Sequence, residues 1–197
     1  MIETAKGIPK FNELGNLPHK CYEVTLEDIK EKLVDDFPNS KTRVSRFECF
    51  LRFYNELVTN VKSCSRLLIN GSFVRNIDDP YDIDFVIVID SKKLTNEEHI
   101  YLNQIINIKN KFRAEYDYYK ELYEQDLISK ESLYQLDLFK FGCDFFRMDK
   151  LYEPHPMYDK YLEKKEYWID WWGHDRDKNP KGFLDLKILN GGELSGT

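Results

Sequence analysis

The sequence predicts an α+β fold (α/β-like), in which helices flank a small mixed β-sheet. Two observations support this prediction: apolar residues recur at helical spacing in several segments, and short apolar runs rich in β-branched residues lie between them. The 197 residues, 42% hydrophobic and 15% aromatic, suffice for one packed domain. We therefore expect a single domain over residues 1–197, with a core at about 42–147, an N-terminal arm at 1–41 and a C-terminal extension at 148–197.

The chain before the first predicted strand contains an arm and two helices. Residues 1–20 include two glycines and two prolines and are expected to form an ordered arm. Thr25 and Asp28 resemble a capping box, which predicts a short helix after Thr25. From 42 to 61, apolar residues recur at helical spacing, Val44 among them, and this pattern indicates the clearest amphipathic helix of the chain.

Four short apolar runs and two further helical patterns complete the prediction. Thr95 and Glu98 form a second capping-box pattern at the start of a long helix. An isolated Asp144 lies inside the third apolar run, and the tryptophans of the last helix, Trp171 included, are interpreted as packing anchors. The predicted strands are 67–69, 85–89, 136–146 and 183–188, and the later helices begin at about 95 and span about 158–172.

Composition excludes several classes of protein. No apolar stretch is long enough to span a bilayer and the N-terminus has no continuous apolar run, so we expect a cytoplasmic protein without membrane association. The four cysteines form no CxxC pair and the four histidines have no matching spacing, which predicts reduced thiols and no zinc site. The net charge of −6 makes long DNA a poor partner, although a small basic groove for a nucleotide or an RNA end is compatible with it.

The most informative segment is 67–90, LLINGSFVRNIDDPYDIDFVIVID. An apolar strand ends at Gly71 and Ser72, and after a gap of nine residues Asp82 and Asp84 open a second strand. Because side chains alternate along a strand, both aspartates should share one face, where a hard cation such as Mg²⁺ would relieve their repulsion. Gly71 permits a tight turn, and Ser72 offers a hydroxyl and an amide to a phosphate at an expected helix N-terminus.

The stretch GSFVRNIDDPYDIDFVIV resembles the signature of the DNA polymerase beta-like nucleotidyltransferase superfamily, a Gly-Ser turn followed by Asp-x-Asp. The resemblance covers about 67–146, and the superfamily includes small bacterial enzymes of toxin–antitoxin and phage-defence operons. The opening GIPKFNELGNLP and the closing WWGHDRDKNPKGFLDL are similar to a prokaryotic family with this core, a match that extends over nearly the whole chain. The fold implied is a small mixed-sheet nucleotidyltransferase core.

The resemblance implies a metal-dependent nucleotidyltransferase that moves a nucleoside monophosphate from a nucleoside triphosphate, such as ATP, to a hydroxyl on a protein, an RNA or a small molecule. Mg²⁺ or Mn²⁺ would be the cofactor, one ion held by Asp82 and Asp84 and a second shared with Asp144. The implied catalytic and metal-binding residues are Asp82, Asp84 and Asp144, and the implied nucleotide-binding residues are Gly71, Ser72 and Arg75.

Several alternatives stay open. Arg75 is either a phosphate contact or a surface ion pair, and the polar segment 174–182 either contacts phosphate or forms a solvated hairpin. The turn lacks the glycine that often follows the arginine in the small operon enzymes, and Asp78 and Asp79 crowd the loop. The alternative function is a catalytically degenerate fold that acts as a binding module or antitoxin. A metal-dependent phosphohydrolase would use similar carboxylates but leaves the Gly-Ser turn unexplained.

Overall fold

The structure is a computed structural model that describes residues 2–129 and 142–188 of the chain. This part forms six strands and four α-helices, the first of which continues into a π-helical turn at Glu31–Asp35. The strands are β1 (Thr4–Lys6), β2 (Cys21–Val24), β3 (Cys64–Asn70), β4 (Ile83–Asp90), β5 (Cys143–Lys150) and β6 (Phe183–Lys187). The helices are α1 (Leu26–Lys30), α2 (Arg43–Asn60), α3 (Asn96–Glu124) and α4 (Tyr158–Trp172).

The six strands form one sheet in the order β1-β2-β6-β3-β4-β5. β3 runs antiparallel to both of its neighbours, β4 and β6, whereas the other pairs are parallel. The sheet is therefore mixed, and the predicted α+β class is confirmed. Because β2 pairs with β6, and β6 with β3, an N-terminal strand and the last described strand lie beside β3, which leads into the Gly-Ser turn.

Helices cover both faces of the sheet. Phe53 of α2 packs against Phe85 of β4 and Phe145 of β5, with ring centroids 5.2 and 4.8 Å apart. On the other face, Trp168 of α4 packs against Phe146, with centroids 4.9 Å apart. Successive residues of a strand point to opposite faces, so the residues of β4 and β5 that flank Phe85 and Phe145 lie on the α4 face.

Helix α3 follows the outer edge of β5, and its start is capped as predicted. Thr95 and Glu98 form a reciprocal capping box, as Thr25 and Asp28 do at the start of α1. On β5, Arg147 donates to the side-chain carbonyl of Asn103 in α3 at 3.4 Å. The helix thus shields the exposed edge of the sheet.

Helix α2 forms where predicted, but the side chains that it buries at its N-terminal end differ from the prediction. Val44 is 57% exposed, whereas Arg43 and Arg46 are 0% and 2% exposed. The reason is local: this end of the helix lies under the loop between β3 and β4, whose backbone carbonyls require donors rather than an apolar surface.

Three strands differ from the sequence prediction. β1 and β2 were not predicted, because each is very short and pairs with a strand distant in sequence. β5 extends to Lys150, beyond the predicted end at 146. The prediction stopped there because charged residues follow, and in the structure two of them, Arg147 and Asp149, form an ion pair of 2.7 Å on this edge strand. The part of the predicted strand at 136–141 lies outside the described residues.

Other predictions have mixed outcomes. Trp172 is 5% exposed and packs as predicted, but Trp171 is 63% exposed and is no packing anchor. The four cysteines are free, as expected for reduced thiols. No helix in the described residues is long and apolar enough to cross a membrane.

Candidate active site

The parallel register of β4 and β5 pairs Asp84 with Asp144. Residues paired in this way point to the same face, and Ile83 and Phe85, which flank Asp84, are buried on the opposite one at 1% and 0% exposure. The two carboxylates therefore lie side by side on neighbouring strands, beneath the face covered by α4. This juxtaposition is the centre of the candidate site.

The carboxylate of Asp84 lies directly over Gly71. A Cβ atom added to Gly71 would be 1.9 Å from Oδ2 of Asp84, and the φ angle of Gly71 is +80°. Both the contact and the left-handed backbone require glycine at this position. The register pairs the preceding Asn70 with Asp84, so β3 delivers the turn to the carboxylate.

The charged form of Asp84 is disfavoured by its surroundings. Burial, and after it the charge of Asp144, raises the pKa of Asp84 to about 6, against the opposing charges of Lys181, Arg176 and Lys109. A carboxylate with a raised pKa beside a second carboxylate gains stability from a bound cation. A cation with a preference for oxygen ligands would relieve this unfavourable charge at Asp84.

Lys181 is a functional candidate that the sequence did not single out. It is 6% exposed, and its Nζ lies 3.5 Å from the carbonyl oxygen of Gly71. Burial, and then the positive charge of Arg75, lowers its pKa to about 8, although Asp84 and Asp175 favour the charged form. A buried ammonium thus lies beside the turn. The sequence analysis included Lys181 only as part of the polar segment 174–182, for which a phosphate contact was one of two interpretations.

Arg75 contacts the N-terminal arm, through a β-bridge with Asn16, and the segment before β6, through Asp175. Its Nη2 lies 3.8 Å from Oδ2 of Asp175, whose side chain is 3% exposed and also accepts from Asn16 at 2.9 Å. The hydrogen bond from Asn16 is the main cause that lowers the pKa of Asp175. The structure therefore places Arg75 in an ion pair, one of its two predicted environments, and the partner is buried. The segment forms a hairpin closed by the bridge between His174 and Pro180, with residues 176–178 exposed at its tip, and the buried Asp175 side chain attaches it to the turn.

A second buried cation organises the turn from below. Arg43 is fully buried and donates hydrogen bonds of 2.7 to 3.1 Å to four carbonyl oxygens, those of Leu33, Phe73, Arg75 and Ile77. Its guanidinium lies 3.7 Å from the ring centroid of Phe37. Burial lowers the pKa of Arg43 to about 10. Arg43 therefore holds the loop in one conformation, a role that the sequence did not reveal.

The expectation that Ser72 begins a helix is wrong. The residues after Gly71 form a turn in which the amide of Arg75 donates to the carbonyl of Ser72 at 3.2 Å. The backbone does not continue into a helix because the amide of Asn76 instead donates to Gly15 in the N-terminal arm, at 2.8 Å. Any phosphate contact at Ser72 thus comes from a turn and its neighbouring cations, without a helix dipole.

Asp144 differs from Asp84 because it forms an ion pair with a lysine. Lys109 of α3 places its Nζ 2.5 Å from Oδ1 of Asp144. Asp82, the remaining predicted carboxylate, is half-buried immediately before β4, and its charge helps to raise the pKa of Cys143, which burial raises most. Within residues 2–129 and 142–188, no group of three or more His, Cys, Asp or Glu side chains is close enough to hold a metal ion. The structure thus brings Asp84 and Asp144 together, with Asp82 near the same strands.

Comparison with known protein families assigns this architecture to one of them. A model described as "Family of unknown function (DUF6932)" matches residues 9–187. The chain belongs to the DUF6932 family. No curated protein and no solved structure matches it. The part that matches the DUF6932 model includes the N-terminal arm from Pro9, the Gly71 turn, both aspartate strands and the segment that carries Lys181, so every element of the candidate site lies inside the family region.

Proposed function

We propose that this DUF6932 chain is a metal-dependent nucleotidyltransferase that moves a nucleoside monophosphate from a nucleoside triphosphate to a hydroxyl on a protein, an RNA or a small molecule. The observation that carries the proposal is the register pairing of Asp84 and Asp144 beside the Gly71 turn. The resemblance of the Gly-Ser and Asp-x-Asp motifs to the polymerase beta-like superfamily points to the same reaction.

The residues present fit one divalent cation at Asp84. Its half-buried carboxylate has a raised pKa, and its oxygens are ligands that a hard ion prefers. It lies against Gly71, where a larger residue would contact Oδ2. Asp82 and Asp84 would hold Mg²⁺ or Mn²⁺, which when bound supplies charge neutralisation for the triphosphate. The residues fit a second ion at Asp144 less well, because the Lys109 ammonium already contacts that carboxylate.

The chain's own groups would bind and orient the two substrates. The Lys181 ammonium lies beside the backbone of Gly71, where it can bind phosphate oxygens together with the amide and hydroxyl of Ser72. Arg75 is ion-paired with Asp175, so its first role is to fix the turn. The Asp144 carboxylate can accept a hydrogen bond from an acceptor hydroxyl and orient it toward the bound triphosphate.

One observation favours the alternative, a degenerate fold that binds a partner without transfer. The contact of Lys109 with Asp144 neutralises a carboxylate that the superfamily uses for catalysis. Under this alternative the chain would bind a nucleoside triphosphate but transfer nothing. The Asp84 environment argues against it, because a carboxylate whose pKa is raised by burial despite nearby cations costs stability, and a protein without a use for that charge gains nothing in return.

The test is incubation of the chain with α-labelled nucleoside triphosphates, Mg²⁺ or Mn²⁺, and lysate of the native host. We expect label on a protein, an RNA or a small molecule, and we expect Asp144→Asn to lose most of the turnover while it keeps nucleotide binding. Asp149→Asn is the matched control, since Asp149 lies on the same strand and pairs with Arg147. Triphosphate binding without labelled product, for all four bases, would establish the binding module instead.

A further inference from the structure

Lys109 occupies a cage built from three kinds of ligand on β5. Its Nζ lies 2.5 Å from the Oδ1 atom of Asp144 and donates to the carbonyl oxygen of Phe145 at 2.6 Å. The same atom lies 4.2 Å from the ring centroid of Phe146. A carboxylate, a carbonyl and the face of an aromatic ring are all cation ligands.

The cage is a fixed feature of the site. The side chain of Lys109 is 15% exposed and that of Asp144 is 21% exposed, so solvent screens the pair only in part. Lys109 reaches the strand from α3, the helix that also contacts Arg147 along the edge of β5. The ammonium therefore has a position set by the fold, next to the carboxylate that pairs in register with Asp84.

Two cations cannot share Asp144 at this distance without strong repulsion. A divalent ion bound to the other carboxylate oxygen of Asp144, Oδ2, would lie within a few ångströms of the ammonium, in an environment of lower dielectric than water. Lys109 would have to leave its carbonyl and aromatic ligands to make room. Asp84, by contrast, forms no ion pair with any of the residues that the structure describes, and the cations that lower its pKa act on it through space.

We infer that the Lys109 ammonium takes the place of a second divalent cation at Asp144, so that the site binds one divalent ion, at Asp82 and Asp84. The inference rests on the proposed function, because it assumes that the Asp84 side binds a divalent ion with a nucleoside triphosphate. It departs from the two-ion arrangement that the superfamily resemblance implies. The Lys109 ammonium would supply one positive charge beside the acceptor hydroxyl. Unlike a bound metal ion, it is part of the chain and does not dissociate into solution.

The number of bound ions tests the inference without reference to turnover. The full chain, in excess over an α,β-methylene nucleoside triphosphate analogue, is titrated with Mn²⁺, and the bound ions are counted by electron paramagnetic resonance. We expect one bound Mn²⁺ per bound analogue in the wild type, with the spectrum of a magnetically isolated ion. In Lys109→Met, which keeps a linear apolar stem against Phe146, we expect two bound ions at saturation, with spectral broadening from their proximity.

Two further variants separate charge from packing. Lys109→Arg keeps the positive charge and should bind one ion, and Lys111→Met removes an exposed lysine from the same helix and should also bind one. Two ions in the wild type would overturn the inference and leave the proposed function intact, as would one ion in a folded Lys109→Met at saturation. No bound Mn²⁺ in a wild type that circular dichroism shows to be folded would overturn the metal site of the proposed function itself, and the inference with it.

Discussion

On β4, the carboxylate of Asp84 lies over a glycine and keeps a raised pKa, whereas on β5 the carboxylate of Asp144 is held by the ammonium of Lys109. The two residues are partners in one register, so their backbone positions are equivalent. The difference lies in what the neighbouring elements bring: the β3 turn brings a backbone without a side chain, and α3 brings a cation. Equivalent positions in a sheet can thus acquire different environments: Asp84 has a raised pKa, and Asp144 forms an ion pair with Lys109.

The largest expected effect comes from Arg43, which donates hydrogen bonds to the loop that follows Gly71. Arg43→Met should destabilise the chain by about 3 kcal/mol or more, because four carbonyl oxygens lose a buried donor. It should also weaken binding of nucleoside triphosphate, since the turn loses its fixed conformation. Urea unfolding measures the first effect. The control is Arg52→Met, an exposed arginine of the same helix, for which we expect a change within about 0.5 kcal/mol.

Arg43 also shows how far sequence reasoning reaches. The strands on either side of the Gly-Ser turn, the two capping boxes and α4 follow from local patterns, and the structure confirms them. Arg43 lies in the first turn of α2, where a positive charge is unfavourable toward the helix dipole. That misfit was the available signal for a structural role, but a helical arginine is usually solvated, so the pattern alone does not identify its partners.

The long-range part of the site was beyond sequence reasoning for a physical reason. The match of Asp144 to the acidic position rested on resemblance, and its register with Asp84 depends on how β5 pairs with β4 across the whole of α3. Lys109 lies on a helix face with nothing local to mark it. Lys181 reaches the turn only because β6 inserts between β2 and β3. Each of these contacts is set by strand order, which periodicity does not encode.

A smaller loss is expected when the close approach of turn and carboxylate is blocked. Gly71→Ala should destabilise the chain by about 2–4 kcal/mol, because the new Cβ would be 1.9 Å from Asp84 Oδ2 and the φ angle of +80° disfavours alanine. Gly7→Ala is the matched control: its φ is +70°, but no atom lies within 4 Å of the new Cβ. The difference between the two variants in urea unfolding isolates the contact with Asp84. Equal losses would show that the carboxylate moves away at little cost.

Neutralising the two carboxylates should change stability in opposite directions. In the metal-free chain at pH 8, Asp84→Asn should stabilise by about 1–2 kcal/mol, because it removes a charge whose pKa is raised by burial and by Asp144. Asp144→Asn should destabilise by about 1–3 kcal/mol, because it leaves the Lys109 ammonium without its counter-ion. Thermal melts in a chelating buffer measure both. Changes of the same sign would contradict the distinction between the two strands.

The smallest effect is a pH dependence that belongs to Asp84 alone. Its folded pKa of about 6 lies above the usual value of 3.8, so the folded state binds the proton more tightly than the unfolded state does. The stability that the protonated form provides is complete below pH 4 and is lost as the pH rises to about 6 and beyond. The stability of Asp84→Asn minus that of the metal-free wild type should therefore be near zero at pH 4 and rise to a plateau of about 1–2 kcal/mol above pH 7. Urea unfolding of both chains at each pH measures this difference, in which the titration of the other carboxylates largely cancels. A difference that does not vary with pH would mean that the Asp84 carboxylate is solvated in the metal-free protein. Its charge would then cost no stability, and a bound cation would not be required to offset it.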